Sequence, residues 1–339
     1  SLSRTESINF RCDNGRLLYA DFSRMALTEI DLEIILRQYD YDMIDVKSAM
    51  VAQKGPLPEE YKDVIRRYYE NKTKLKGTQD PDEQYLYHKS KELLNAIYGM
   101  SAQDPIHSDI KYNDGVWTVS GYDRPAEEIN KVLMKAKFPY QWGVYTTAYA
   151  RQALQEGIDL AGKQMVYCDT DSIKTLGPVD IDRINAERMK RAKISGGVAR
   201  DRKGHDHYIG IFEYEGTYDR FVSCGAKRYA YEQDGEMHIT VAGVTKQINE
   251  KTGIPFAVEE LGCLENFKEG MTWVKAGGIA AVYNDHDDFN YTDPASGNQL
   301  RITSNVALVP STYEMTFETD YKKILYEMDL YGEYMDRRE

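Results

Sequence analysis

The sequence has little of what marks several common protein classes. Its four cysteines, Cys12, Cys168, Cys224 and Cys263, are widely spaced and form no C-x-x-C pair. That spacing argues against a zinc site and a disulfide framework, and it fits a reducing cytosol. No window approaches the roughly eighteen consecutive apolar residues of a membrane-spanning helix, and no signal-peptide pattern opens the chain. The expectation is an intracellular, cytoplasmic protein with no membrane partner. Histidines number six, which leaves two places for a histidine-based metal hydrolase. These are His205-Asp206-His207, and His286 beside Asp285, Asp287 and Asp288. Both read as loop residues. No internal repeat is present. Position 1 is serine, which reads as a trimmed form, a proteolytic product or the back part of a longer chain.

What is there is a chain of 339 residues, 42% hydrophobic, enough for a large core or a few lobes. A net charge of −12 disfavours a nucleic-acid partner at first sight. The total hides an asymmetry: residues 183–205 carry eight Lys/Arg against two acids. Local positive stripes govern phosphate binding, whereas the global sum mainly governs solubility. The same stretch also reads as a solvated charged helix followed by a loop. Tyrosine is abundant at 27, suited to stacking on bases and equally to half-buried surfaces.

Local patterns predict an α+β chain. INFRC and LLYADF alternate as short strands, and LTEIDLEIILRQYD reads as a helix with Thr28 at its N-cap. Residues 58–75 read as a second helix. Gly77 ends it, and a third begins at Asp80-Pro81-Asp82-Glu83 with a capping-box spacing, running to Tyr98 with Gly99 as its stop. Two such helices joined by a short loop form an antiparallel helical hairpin. Residues 109–120 predict a β-hairpin around Asn113-Asp114-Gly115. A short helix over 125–136 and a longer one over 143–161, capped by Gly162, follow. QMVYC and SIKTL predict a second β-hairpin, and residues 207–244 are strand-rich with a Gln-Asp-Gly turn. The end of the chain mixes short elements with the polar loop NDHDDFNYTDPASGNQ and closes on a charged helix, YKKILYEMDLYGEYMDRRE.

Two constellations carry chemistry. On the helix after Pro81, Lys91, Asn95 and Tyr98 fall at i, i+4 and i+7 on one face. A cation, an amide and a ring on one stripe could hold a phosphate, a sugar and a base, or could simply be a solvated face. The partner helix adds Arg66, Arg67, Lys72 and Lys74, and cations from two arms suit a triphosphate. The second constellation is Asp169-Thr170-Asp171-Ser172. Two carboxylates one residue apart on a strand point to one side and repel unless a cation or hydrogen bonds hold them. Mg²⁺ prefers such oxygens, while Asp, Thr and Ser are also common turn formers. Both readings stay open from these residues alone.

Tyr167-Cys168-Asp169-Thr170-Asp171-Ser172 resembles the Y-x-D-T-D-S motif of family B DNA polymerases. Lys91-x-x-x-Asn95-x-x-Tyr98-Gly99 resembles their fingers motif, with Ala96 in place of the usual serine. GVYTTAYAR, Lys227-Arg228-Tyr229 in place of the K-x-Y motif, and VAGVTK followed by LENFKEG resemble the protein-primed branch found in bacteriophages and linear plasmids. This resemblance runs from about residue 25 to about residue 275. It implies a right-hand polymerase fold with an antiparallel palm sheet, helical-hairpin fingers and a small mixed thumb. The implied divisions are 1–50 the end of a palm-linked insertion resembling a terminal-protein region, 51–100 fingers, 101–142 an insertion with a β-hairpin, 143–245 palm, and 246–339 thumb and C-terminal extension.

The resemblance also implies roles. Asp171 and Asp169 would ligate catalytic Mg²⁺ (or Mn²⁺), two ions in the complete site. Lys91 and Lys72 would bind the incoming triphosphate, with Asn95 and Tyr98 around the nascent base pair. Thr170, Lys227 and Tyr229 would meet the primer, and Arg188, Lys190 and Arg191 of the basic run would meet DNA phosphates. The implied partners are primer-template DNA, dNTPs and a terminal priming protein, in a bacterial host cytoplasm if phage-encoded. The family's first palm motif, D-x-x-S-L-Y-P, is not found, and Tyr19-Ala20-Asp21-Phe22-Ser23 is only a look-alike. Nor is there a trace of the N-terminal exonuclease motifs. The expectation is therefore the C-terminal part of a protein-primed polymerase, binding metal weakly and with little or no activity unless an N-terminal segment or subunit supplies another carboxylate. The alternative is a catalytically inactive, polymerase-derived module that grips DNA or a priming protein.

Overall fold

The computed structural model describes residues 6–13, 16–51, 53–102, 109–113, 116–120, 125–135, 138–283, 289–292, 299–302 and 305–316. The predicted turn residues Asp114 and Gly115, the His286 cluster and the C-terminal charged helix lie outside these. In chain order the elements are β1 (Glu6–Asp13), β2 (Arg16–Arg24), α1 (Glu29–Gln38), α2 (Glu59–Leu75), α3 (Pro81–Ser101), β3 (Asp109–Asn113), β4 (Val116–Ser120), α4 (Ala126–Met134) and α5 (Tyr140–Ala161). They continue with β5 (Met165–Asp169), β6 (Ser172–Thr175), α6 (Asp182–Ser195), β7 (Val198–Arg200), β8 (Asp206–Tyr208), β9 (Arg220–Ser223), β10 (Arg228–Gln233) and β11 (Glu236–Val241). Last come α7 (Phe256–Leu261), β12 (Thr272–Tyr283), β13 (Phe289–Thr292), β14 (Gln299–Ile302) and β15 (Asn305–Glu314). The described residues thus form an α+β chain whose sheets are small and antiparallel.

The chain divides into two compact units. The first comprises Ser1–Ser3, Met25–Ser108 and Gly121–Tyr214; the second comprises Arg4–Arg24, Asp109–Ser120 and Glu215–Glu339. In the first unit, α1 starts as expected: the Thr28 side chain accepts from the Asp31 amide while the Asp31 carboxylate reaches back to Thr28. Asp31 is only 6% exposed, and Arg151 on α5 donates to both of its oxygens at 2.7 and 2.9 Å. Burial pushes the Asp31 carboxyl up, but the hydrogen bonds from Arg151 and Thr28 outweigh it and hold the group below its ordinary value. Gln38 and Tyr145 add further links between α1 and α5, through Asp159 and Glu29 respectively.

The helical hairpin of α2 and α3 forms, with two departures from expectation. Asp80 caps α3 by accepting from the Glu83 amide at 3.0 Å, but Glu83 does not complete the box. Its carboxylate instead binds Thr78 and Arg202, the latter from the β7–β8 turn. Gly99 does not stop the helix either, because α3 runs on to Ser101, whose hydroxyl donates to the Tyr98 carbonyl at 2.7 Å. A glycine favours an end only where a left-handed residue is needed, and here none is.

The second unit has a core of large side chains. Trp273, Phe267, Leu261, Leu264 and Met315 are at most 1% exposed. They pack with Cys224, Ala230, Val241 and Ala257, and Trp273 Nε1 donates to the Ala257 carbonyl at 3.0 Å. Residues on both sides of position 245 share this core. The β10–β11 turn is the Asp234-Gly235 pair read from the sequence, with φ of 53° and 80°. Positive φ at both central residues is what a two-residue hairpin of right-handed twist requires.

Candidate active site

The aspartates of Asp169-Thr170-Asp171-Ser172 sit where β5 turns into β6, with Asp169 and Ser172 as the closing pair. Sequence reasoning placed both on one strand pointing to one side. The structure corrects this: Asp169 ends β5, and Asp171 lies in the two-residue loop. Their relation is therefore set by the turn and not by strand alternation. The Asp171 amide donates to the Asp169 carbonyl at 2.5 Å, and Thr170 between them has φ of 47°. An i→i+2 bond about a positive-φ residue is a γ-turn of the rare hand, strained for a β-branched side chain. The Thr170 hydroxyl donates to Asp169 Oδ1 at 2.9 Å, and the Ser172 hydroxyl to the Asp169 carbonyl at 3.3 Å. Asp171 is exposed and Asp169 half-buried. Such strain persists only where the surroundings over-determine it. Tyr167 is buried on β5, and α5 passes close over β6, where a Cβ on Gly157 would sit 3.3 Å from Ile173.

By donor type alone, two carboxylates suit a hard divalent cation. The two carboxylates offer oxygen donors, while the Thr170 and Ser172 hydroxyls are turned to Asp169 itself, and Mg²⁺ commonly takes one or two protein carboxylates while keeping waters. Among the described residues, no group of three or more His, Cys, Asp or Glu side chains is placed to hold a metal.

On α3, Lys91, Asn95 and Tyr98 occupy successive turns and all three are exposed. The cations of α2 behave differently from one another. Lys72 is half-buried. Arg66, one of the cations suited to a triphosphate, donates from Nε and Nη2 to the Ser195 carbonyl at 3.0 and 2.7 Å and from Nη1 to Asp63 at 2.8 Å. It thereby caps the C-terminal end of α6, where free carbonyls and the helix dipole attract a cation. Arg67 lies over the Tyr68 ring at 5.1 Å. Lys74 lines a polar cleft of about 300 Å³ with Glu70, Asn71 and Arg200.

The basic run also splits. Arg188, expected on DNA phosphates, turns inward: it donates to the carbonyls of Gly210 and Ala153 and to Glu156, and lies 4.8 Å over Phe212. Its planar fork joins α6 to α5 and to the following segment, a use for which lysine has no equivalent. Lys190 and Arg191 remain exposed, each beside Glu187. The loop expected after α6 is a small hairpin, β7–β8, and His207 lies on its second strand, not in a loop. The Glu213 carboxylate 3.1 Å from His207, reinforced by Asp201 at 3.3 Å, raises the imidazole above its ordinary value against a smaller opposing effect of burial. Three contiguous short residues offer sequence reasoning too little periodicity to find such strands.

Lys227 and Tyr229 belong to the second unit. Lys227 is exposed in a left-handed turn before β10, with φ of 54°. Tyr229 is half-buried on β10, 5.5 Å from Phe221. The look-alike Tyr19-Ala20-Asp21 lies on β2 in the same unit, where Asp21 accepts from Tyr19 and Asn9. These bonds, Tyr19's first, hold its carboxyl below the ordinary value.

Among the described residues, no helix is long and apolar enough to cross a membrane. No protein-family model matches the chain, and no solved structure matches it. Over 258 residues it is 24% identical to the DNA polymerase of Bacillus phage phi29, an alignment that covers 73% of this chain and 38% of that protein. The chain thus spans well under half the length of the curated relative it matches, and by sequence it is distantly similar to a phage DNA polymerase.

Proposed function

We propose that the chain carries the nucleotidyl-transfer part of a protein-primed, family B DNA polymerase of right-hand fold. The observation that supports this best is the strained Asp169-Thr170-Asp171 loop, occurring in a chain similar to a phage DNA polymerase. In this reading a primer hydroxyl attacks the α-phosphate of a dNTP, a phosphodiester bond forms and pyrophosphate leaves. Asp171 and Asp169 would hold Mg²⁺ or Mn²⁺, which would offset the charge developing on the attacking and leaving oxygens. Lys91 and Lys72 orient the triphosphate, Asn95 and Tyr98 flank the nascent pair, and Thr170, Lys227 and Tyr229 position the primer. Fixed placement supplies most of the acceleration in such chemistry. A segment outside this chain supplies a further carboxylate, and a priming protein supplies the first hydroxyl.

A second reading, a binding module without catalysis, is favoured by the absence of a third metal-ligating side chain beside Asp169 and Asp171 among the described residues. The two part on one substitution. In the full complex, with the segment that supplies the further carboxylate present, Asp171→Asn is expected to lower primer extension on the order of a thousandfold and to abolish Mn²⁺ binding followed by electron paramagnetic resonance. Unchanged extension and unchanged Mn²⁺ binding would leave the module reading in its place.

A further inference from the structure

The helix α3, which carries Lys91, Asn95 and Tyr98, is seated unevenly. From Pro81 to Lys89 no residue is fully buried, and only Glu83 and Tyr87 are half-buried. Ser90 is the first buried side chain, and its hydroxyl has no hydrogen-bond partner among the described residues. A small unbonded side chain fills space but makes few contacts, so it does little against roll or slide of the helix. Leu93, Leu94 and Ile97, all half-buried, seat the far half.

The near half is held by polar bonds instead. Glu83, two turns before Ser90 and on the same side of the helix, meets Arg202 Nη2 and the Thr78 hydroxyl. Arg202 Nη1 reaches that hydroxyl too, at 3.4 Å. Thr78 is 8% exposed, and its carbonyl accepts from Gln84 at 3.1 Å. One guanidinium thus joins the loop before α3 to the first turn of α3. Arg202, then Thr78, holds the Glu83 carboxyl below its ordinary value, which keeps it an ionised acceptor.

The arginine is itself presented by a tight turn. Asp201 accepts from the amides of Lys203 and His205 at 2.8 and 2.9 Å, and its own amide donates to the His205 carbonyl at 3.0 Å. His205 Nδ1 and His207 Nε2 each lie 3.3 Å from its other oxygen. An isolated exposed ion pair contributes little, because two long side chains lose freedom in forming it. Here the bonded turn and the buried threonine fix much of the geometry beforehand, which lowers that cost.

From this arrangement we infer that Arg202 is a positioning residue: acting through Glu83 and Thr78, it sets the roll of α3 and thereby the reach of Lys91. Its nucleotide role rests on the polymerase reading, which itself assigns nothing to Arg202, Glu83 or Thr78. A roll of about 10° carries a side-chain tip roughly 6 Å from the helix axis through about 1 Å. Such a displacement matters where a cation must meet a phosphate.

The test is steady-state primer extension by the full complex, with the segment that supplies the further carboxylate present. Arg202→Ala is expected to raise KM for dNTP about fivefold and to leave kcat within about twofold. Arg202→Lys, which lacks the fork that meets Glu83 and Thr78 together, is expected to fall between. On a Lys91→Ala background, Arg202→Ala is expected to add nothing, because both act through one contact. An unchanged KM, or the same rise with and without Lys91, overturns the inference. Should Arg202→Ala melt well below the parent, Glu83→Gln decides the same point with the turn intact. Amide hydrogen exchange of the full chain separates the brace from the chemistry: Arg202→Ala is expected to speed exchange over residues 81–90 alone. Exchange equal to the parent's overturns the brace. Faster exchange there, with extension indifferent to Asp171→Asn, leaves the brace standing and removes its nucleotide role together with the polymerase reading.

Discussion

The two units of this molecule are held together by different means. In the second, the buried volume is large and apolar: Trp273, Phe267, Leu261, Leu264 and Met315 close around one another. In the first, the buried residues are mostly small, among them Gly143, Ala148, Gly157, Ala161, Ala192 and Ala199. Arginines join its elements instead, Arg151 to Asp31, Arg188 to Ala153 and Gly210, Arg66 to Ser195, and Arg202 to Glu83. Large apolar side chains stabilise through area removed from water and tolerate little loss of volume. Small residues let helices and strands approach closely, and the guanidinium forks then satisfy carbonyls and carboxylates at the seams. The unit with the paired aspartates is the one built on directional bonds. Directional bonds fix the orientation of the groups they join, which apolar bulk does not.

Breaking each mode separately sharpens this contrast. The largest effect on stability is expected from Trp273→Ala, about 3–5 kcal/mol in a denaturant titration, since the side chain is fully buried. In the other unit, Gly157→Ala is expected to destabilise by about 1–3 kcal/mol. The new Cβ would lie 2.8 Å from Phe212, although alanine is otherwise the better helix residue. A stabilising result would mean that the close approach of α5 is not a seam at all. Arg151→Ala is expected to cost a similar or smaller amount, roughly 1–3 kcal/mol. It strands the buried Asp31, while the arginine itself is 43% exposed on its side chain. Asp31→Asn combined with Arg151→Ala recovering part of that loss would assign the cost to the stranded charge.

The smallest effect is pH-dependent. Because the folded state raises His207 above its ordinary 6.5, its contribution is full below that value and is lost as pH rises through the folded pKa. The stability of the first unit is expected to fall over that window, and His207→Gln to flatten the fall. Asp201 has the opposite sign. Hydrogen bonds, that of the His205 amide foremost, lower it, so its contribution is present above the ordinary carboxylate value and disappears on acidification. A thermal melting series from acid to mildly alkaline pH reads both.

Much of the fold was legible because its signals are local. Thr28 and Asp80 announce helix starts through their own side chains, Gly162 ends its helix at a positive φ, and Asp234-Gly235 dictates its hairpin. The candidate residues were legible only as local groups, Lys91, Asn95 and Tyr98 along one helix and Asp169 and Asp171 at one hairpin. The geometry of the aspartate pair was not. Strand alternation placed the aspartates on one side, whereas the loop puts Thr170 into a left-handed turn between them.

The amino-acid sequence by itself determined where this chain turns, caps and alternates, since those choices depend on a residue and its few neighbours. Only the tertiary structure decided what each cation does. Arg66, Arg188 and Lys190 look alike along the chain, yet two of them close seams and one faces water. The difference lies in whether a carbonyl from a distant element arrives within hydrogen-bond reach, and nothing local to an arginine encodes that arrival.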